Sequence, residues 1–140
     1  MALSIQKLII AFIASLTAFM GTNLPTAVLS HKNGQVLVEL AQTPAAQQQG
    51  LSGRKSLGAN QGMLFIFPQD EARQFWMKEM NFPLDIIWLN KEGKIMGLAT
   101  NVATSTYPGI ISSPGPVRQV LEVSAGYAQK YGLTVGDFIR

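Results

Sequence analysis

Few side chains in this sequence are equipped for chemistry. Its 140 residues include no cysteine and a single histidine, His31. The lack of thiols excludes disulfides, thiolate nucleophiles, iron–sulfur clusters and cysteine-based zinc sites. One imidazole cannot make a paired-histidine metal site, and His31 lies beside an Asn-Gly turn, where solvent is its natural partner. The remaining candidates are carboxylates and cations. Asp85 opens the apolar run DIIWL and shares a face with Ile87 and Leu89 by strand alternation. Glu122 lies in RQVLEV on the face of Arg118 and Val120. An acid at such a position either has a raised pKa or is buried against a partner, and the cost of unpaired buried charge favours the partner. As a catalytic pair, Asp85 and Glu122 would be the two carboxyl groups of a glycosidase-like acid/base mechanism.

Three further residues are candidates for binding alongside Asp85. Arg54 follows a glycine break at Gly50, and its planar fork suits a carboxylate or phosphate; its structural alternative is an ion pair with Asp85 or Glu122. Trp76 and Lys78 share one face of RQFWMK, opposite Phe75 and Met77. If Phe75 and Met77 meet the core, Trp76 offers a cleft a flat wall and Lys78 offers it an anion contact. In the opposite arrangement Trp76 is core and Lys78 snorkels to water. Ser52-Gly53-Arg54-Lys55 spells the S-x-x-K nucleophile motif, but its companion S-D-N and K-T-G elements are missing.

Composition frames these candidates. With 47% apolar and 14% charged residues, the chain has the make-up of one globular domain. Leu8–Met20 (LIIAFIASLTAFM) is an uncharged apolar run of 13 residues behind a single lysine. A signal-peptide core needs about 7–15 such residues and a spanning helix about 20. Residues 1–27 therefore read as a signal peptide, with an uncleaved N-terminal membrane anchor as the alternative. The expected location is exported, periplasmic or extracellular. Without residues 1–27 there are ten bases against eight acids and no basic run, too little charge for a nucleic-acid surface.

Residues 28–140 predict a single α+β domain. Asn33-Gly34 suits a type I′ hairpin turn joining Val28–Ser30 to Val36–Leu40. Thr43, Pro44 and Gly50 bracket a helix of about two turns as N-cap, first residue and C-terminal stop. Met63–Phe67 is a strand covered on both faces and stopped by Pro68, followed by strands Arg73–Lys78 and Asp85–Leu89. Asn90–Gly93 turns the chain into Lys94–Ala99, and Thr104–Pro116 reads as a long loop. Arg118–Val123 is a strand, Ser124 caps a second helix ending at Gly132, and Thr134–Ile139 closes the domain.

The order of several blocks carries a family resemblance. Gly50-Leu51-x-x-Arg54, Gly62-Met63-Leu64-Phe65-x-Phe67, Phe75-Trp76-Met77-Lys78 and Pro83-Leu84-Asp85-Ile86-Ile87 are followed by Ser113-Pro114-Gly115-Pro116, Leu121-Glu122-Val123-x-Ala125-Gly126 and Gly132-Leu133-x-Val135-Gly136-Asp137. Together, from about residue 36 to 138, they resemble Domain of Unknown Function 192. That resemblance implies a bacterial or archaeal, often exported protein with a curved, barrel-like mixed sheet and two short helices. It implies no established activity. Two departures stand out: Ser52-Gly53 replaces a methionine and a variable residue, and Glu79 replaces an asparagine.

The functional expectation is an exported, non-catalytic module that binds a small molecule, a peptide or a cell-envelope partner. It needs no cofactor or metal, and meets the membrane only through an uncleaved N-terminal segment. The alternatives are a hydrolase or lyase acting on sugar or envelope material through Asp85 and Glu122, and a structural or assembly protein of the envelope.

Overall fold

The computed structural model describes residues 23–140. The segment expected to be a signal peptide or anchor, residues 1–27, lies outside the described residues as far as residue 22. The elements run β1 (Thr26–His31), β2 (Gly34–Ala41), α1 (Pro44–Gln49), β3 (Gln61–Phe75), β4 (Leu84–Leu89), β5 (Ile95–Val102), a 3-10 turn (Thr104–Thr106), β6 (Ile111–Ser124) and α2 (Tyr127–Tyr131). The six strands form one open mixed sheet in the order β1-β2-β3-β6-β4-β5; β2 and β3 are parallel and the other pairs antiparallel. The C-terminal segment links the two edges at one end. Arg140 and Ser30 exchange backbone hydrogen bonds of 2.9 and 3.0 Å, while the Ile139 and Ile95 amides donate to Gly93 and Asp137. This strap ties the two edges of the open sheet to each other through one segment.

Strand alternation divides the core between the two faces of the sheet. On β4, Ile87 and Leu89 join Val36, Val38, Leu121, Val123 and Tyr127 on one face. Leu84, Ile86 and Trp88 join Met63, Phe65, Met77 and Val120 on the other. Both faces are covered, which is why MLFIF and DIIWL read as continuous apolar runs. Along the second face the register sets Glu39, Met63, Glu122 and Ile86 side by side across β2, β3, β6 and β4. Two acids thus stand in an otherwise apolar row. Close strand approach at this level needs Gly62, where a Cβ would lie 2.5 Å from the Glu122 carbonyl oxygen.

Several boundaries differ from the sequence expectation, each for a local reason. The hairpin at Asn33-Gly34 forms, but its two-residue turn is Lys32-Asn33 and neither residue has positive φ. Gly34 starts β2 instead, where a Cβ would press on the Tyr131 ring at 3.2 Å. The folded domain also begins before Val28: β1 starts at Thr26, and the Pro25 carbonyl accepts the Leu40 amide at 2.8 Å. Pro68 does not end its strand. β3 continues through it to Phe75, with register shifts against β6 between Ile66 and Glu71 and between Ala72 and Gln74. These bulges leave the intervening residues outside the ladder, so a proline costs no hydrogen bond there. For the same reason the second half of the expected loop at 104–116, from Ile111 on, is strand: Pro114 and Pro116 lie in the part of β6 that pairs with β3 alone. The resulting two-stranded ribbon extends past the sheet and forms one wall of a cleft.

Candidate functional site

The cleft lies on the second face, between α1 with the turn that follows it and the outer half of β3. Gln47–Ser52 form one wall, Ala72–Trp76 the other, and Phe65 and Glu122 reach it from the sheet. It encloses about 420 Å³, the size of a small-ligand site. The walls are fixed. Thr43 Oγ1 caps α1 by accepting the Ala46 amide, and Gln47 Nε2 ties the helix to the Ala41 and Ile66 carbonyls at 3.2 and 2.8 Å. Beyond the helix, Ser52 Oγ donates to Lys78 O at 2.9 Å, the Gly53 amide to Glu79 O at 2.8 Å, and Asn81 Nδ2 to Arg54 O at 2.8 Å. These bonds hold the 50–54 turn against the 78–81 turn.

Trp76 is 46% exposed on the cleft wall, edge-on to Tyr107 at 6.0 Å, with Lys78 Nζ 5.4 Å from its ring centroid. Met77 behind it is buried, and Phe75 packs edge-on between Phe65 and Trp88. The chain has left the β3 ladder at Trp76, so this segment points its indole outward while anchoring through Phe75 and Met77. Lys78 does not line the cleft; it stands at its rim over the indole.

Glu122 is the unusual group. Its side chain opens on the cleft but the residue is only 5% exposed, and no hydrogen bond or ion pair to its carboxyl occurs among the described residues. Burial alone pushes its pKa up from 4.5 to about 8, with no charge or donor opposing the shift. At neutral pH the cleft floor therefore presents a protonated carboxyl. The other charged lining residue is Arg73, whose guanidinium lies 3.9 Å above the Phe67 ring. Its Nη2 donates to Gln69 O, its Nη1 pairs with Glu71 at 3.2 Å, and its buried Nε has no partner.

The other expected site residues serve the fold. Arg54 forms a two-pronged ion pair with Glu39, through Nη1 to Oε2 and Nη2 to Oε1, the latter at 3.1 Å. A structural ion pair was the alternative for Arg54, but its acid is Glu39 on β2 rather than Asp85 or Glu122. Glu39 is fully buried. Arg54→Ala is therefore expected to destabilise the domain by about 3–5 kcal/mol, because a buried carboxylate loses its counter-charge. Replacing both partners with apolar residues should recover most of that loss in urea unfolding.

Asp85 faces the opposite side of the sheet from Glu122, since it pairs with Val123 while Glu122 pairs with Ile86. The two carboxyls therefore form no acid/base pair. Asp85 accepts the backbone amides of Asn101, Gly126 and Ala128 at 2.8, 3.2 and 2.9 Å. It caps α2 from across the sheet, a role the sequence suggested for Ser124; the Ser124 hydroxyl instead donates to Leu57 O. His31 is half-buried rather than solvated, with Nε2 2.7 Å from the Tyr127 hydroxyl, and burial lowers its pKa. No three His, Asp or Glu side chains gather into a metal site among the described residues. Nor is any described helix long and apolar enough to cross a membrane.

The sequence reading missed Phe65, Phe75, Arg73 and Gln47–Gln49 as cleft residues, and Glu39 as the partner of Arg54. One signal was present for Glu39: VLVEL, like VLEV, places an acid inside an apolar strand. Nothing in the sequence brings α1 opposite a ribbon whose two strands, such as Ala72 and Pro116, lie far apart along the chain.

Comparison with known proteins is consistent with this architecture. No functionally curated protein matches the chain. A crystal structure of a candidate transcription regulator from Sinorhizobium meliloti superposes with a TM-score of 0.80 at 30% identity, over 85% of this chain and 95% of that one. A protein of unknown function from Novosphingobium aromaticivorans superposes with a TM-score of 0.77 at 31% identity, over 85% and 87%. The family model described as DUF192, Uncharacterized ACR, matches residues 27–140. With that match covering residues 27–140 of the 140, the chain belongs to the DUF192 family.

Proposed function

We propose that this protein is an exported, non-catalytic binding module whose ligand occupies the cleft between α1 and the β3–β6 ribbon. The observation that carries the reading is the pairing, in one cleft of about 420 Å³, of a half-exposed tryptophan with a buried carboxyl that has no protein partner. A large aromatic held in solvent and a nearly buried carboxyl that opens on the cleft both stand to gain from a ligand. Export rests on the charge and apolar pattern of residues 1–20, read as a signal peptide or membrane anchor. The hydrolase or lyase alternative, with Asp85 and Glu122 as acid and base, gains nothing from carboxyls on opposite faces of the sheet.

The Sinorhizobium relative's name raises DNA as a partner. Against carrying it over, Lys32, Arg54, Arg73, Lys91 and Arg118, half of the ten described Lys and Arg residues, are each paired with an acid, and the other half are Lys55, Lys78, Lys94, Lys130 and Arg140. A phosphate-binding stripe needs such cations unengaged.

The full chain, expressed in a bacterium and recovered from the envelope or the medium, provides the test by native mass spectrometry. The expected result is export, with a small mass retained by the wild type and lost on Trp76→Ala. Trp88, 2% exposed, keeps its buried emission in that variant and reports an intact fold. A protein confined to the cytosol contradicts the export reading. Equal retention by the wild type and the variant contradicts the cleft, and an empty chain crosslinked to envelope protein favours the assembly role.

A further inference from the structure

We infer that the ligand of this cleft carries an ammonium group, taking Glu122 as its counter-ion and the surrounding aromatic rings as its bed. This rests on the cleft being a binding site and names the chemistry it selects.

Three observations lead to it. First, the Glu122 carboxyl reaches the cleft flanked on the sheet by Met63 and Ile86, and meets no protein donor. A ligand restores what burial removed most fully by bringing both a donor and a positive charge. Second, the aromatic surface here already carries cations of the protein itself. The Arg73 guanidinium sits over Phe67 at 3.9 Å and the Lys78 ammonium near Trp76 at 5.4 Å. These contacts show that the ring quadrupoles here attract cations, while Arg73 and Lys78 themselves repel a further positive charge at close range. Third, the site offers little to an anion. Arg73 is the one cation lining the cleft; its Nη groups are engaged by Glu71 and Gln69 O, and its Nε is buried.

Of the nearby charges, only Lys78, at the rim over Trp76, works against a cationic ligand with no ion pair among the described residues to offset it. The α1 wall contributes glutamines, β3 contributes Arg73 neutralised by Glu71, and β2 contributes Glu39 already paired with Arg54. β4 presents Ile86 beside it.

Proton linkage separates an ammonium ligand from a neutral one. In the free protein Glu122 holds its proton at pH 7, because burial lifts its pKa to about 8. An incoming ammonium favours the carboxylate, so binding releases roughly one proton; a neutral acceptor leaves the proton in place. The probes are n-butylammonium and 1-butanol, titrated calorimetrically into the full chain at pH 7 in anionic buffers of different ionisation enthalpy. Trp76 emission is followed in parallel. The expected result is that n-butylammonium binds at least about tenfold more tightly than 1-butanol with proton release, and that Glu122→Gln abolishes both the preference and the release. Equal affinity for the two probes, binding without proton release, or a preference that survives Glu122→Gln would each overturn the proposal. So would failure of n-butylammonium to bind at millimolar concentration. The cleft itself is judged separately, by whether Trp76→Ala loses the mass that the wild type retains.

Discussion

Replacing Glu122 with glutamine is expected to stabilise the protein at pH 8.5, raising its melting temperature by about 10 °C or more, and to change nothing at pH 4. The folded pKa of Glu122 lies near 8 and its ordinary value is 4.5. Between these values the folded state holds a proton that the unfolded state has released. Stability associated with the protonated carboxyl is complete below pH about 4.5, falls as pH rises toward 8, and stays lost above that. Each pH unit across that window is worth about 1.4 kcal/mol, so ionising the buried group costs about 3–5 kcal/mol. Glutamine has nearly the same shape and no proton to lose. Thermal unfolding of both proteins from pH 4 to 9 should therefore diverge progressively with pH. Parallel curves would mean that Glu122 is solvated or ion-paired, and the cleft floor would not be what is described here.

Asp85→Ala is the opposite case, expected to cost about 3–5 kcal/mol at neutral pH. Asp85 is fully buried and accepts three backbone amides from two separate segments, Asn101 at the end of β5 and Gly126 and Ala128 at the start of α2. Alanine leaves all three donors without an acceptor in the interior. Much of the stability of a typical domain, about 5–15 kcal/mol, would be gone. Asp85→Asn keeps one acceptor oxygen and should lose less. A large drop in the urea midpoint, with amide exchange accelerating first at residues 126–131, is the expected outcome. An unfolding free energy within about 0.5 kcal/mol of wild type would show that the cap is dispensable.

The contrast between Asp85 and Glu122 marks what could be read in the sequence. Both are acids in apolar strands, and alternation correctly gave Asp85 its neighbours Ile87 and Leu89 and Glu122 its neighbour Val120. Beyond Val120 the face continues at Val117 rather than at Arg118, which turns out to pair with Asp70. What alternation could not give is the neighbouring strand. The fate of Asp85 is decided by amides of α2, 41 and 43 residues away, and that of Glu122 by the absence of any donor from α1 or β3. The first helix was legible because its signals are local: Thr43, Pro44 and Gly50 act within one or two turns. The long strands were not, because Pro68, Pro114 and Pro116 ordinarily signal breaks and here fall at bulges or on a ribbon paired on one side. Glu79 shows the same limit. Its φ of 57° is a left-handed conformation that asparagine adopts more readily, so the departure from the family pattern concerns the backbone of a turn as much as the charge beside Lys78.

The most direct test of the account is a crystal structure of the full chain recovered with the molecule it retains. Density is expected in the cleft between α1 and the β3–β6 ribbon, packed on Trp76 and reaching the Glu122 carboxyl. Density placed elsewhere, such as the shallow depression beside Tyr131 and Asn60, with neither Trp76 nor Glu122 in contact, would contradict it.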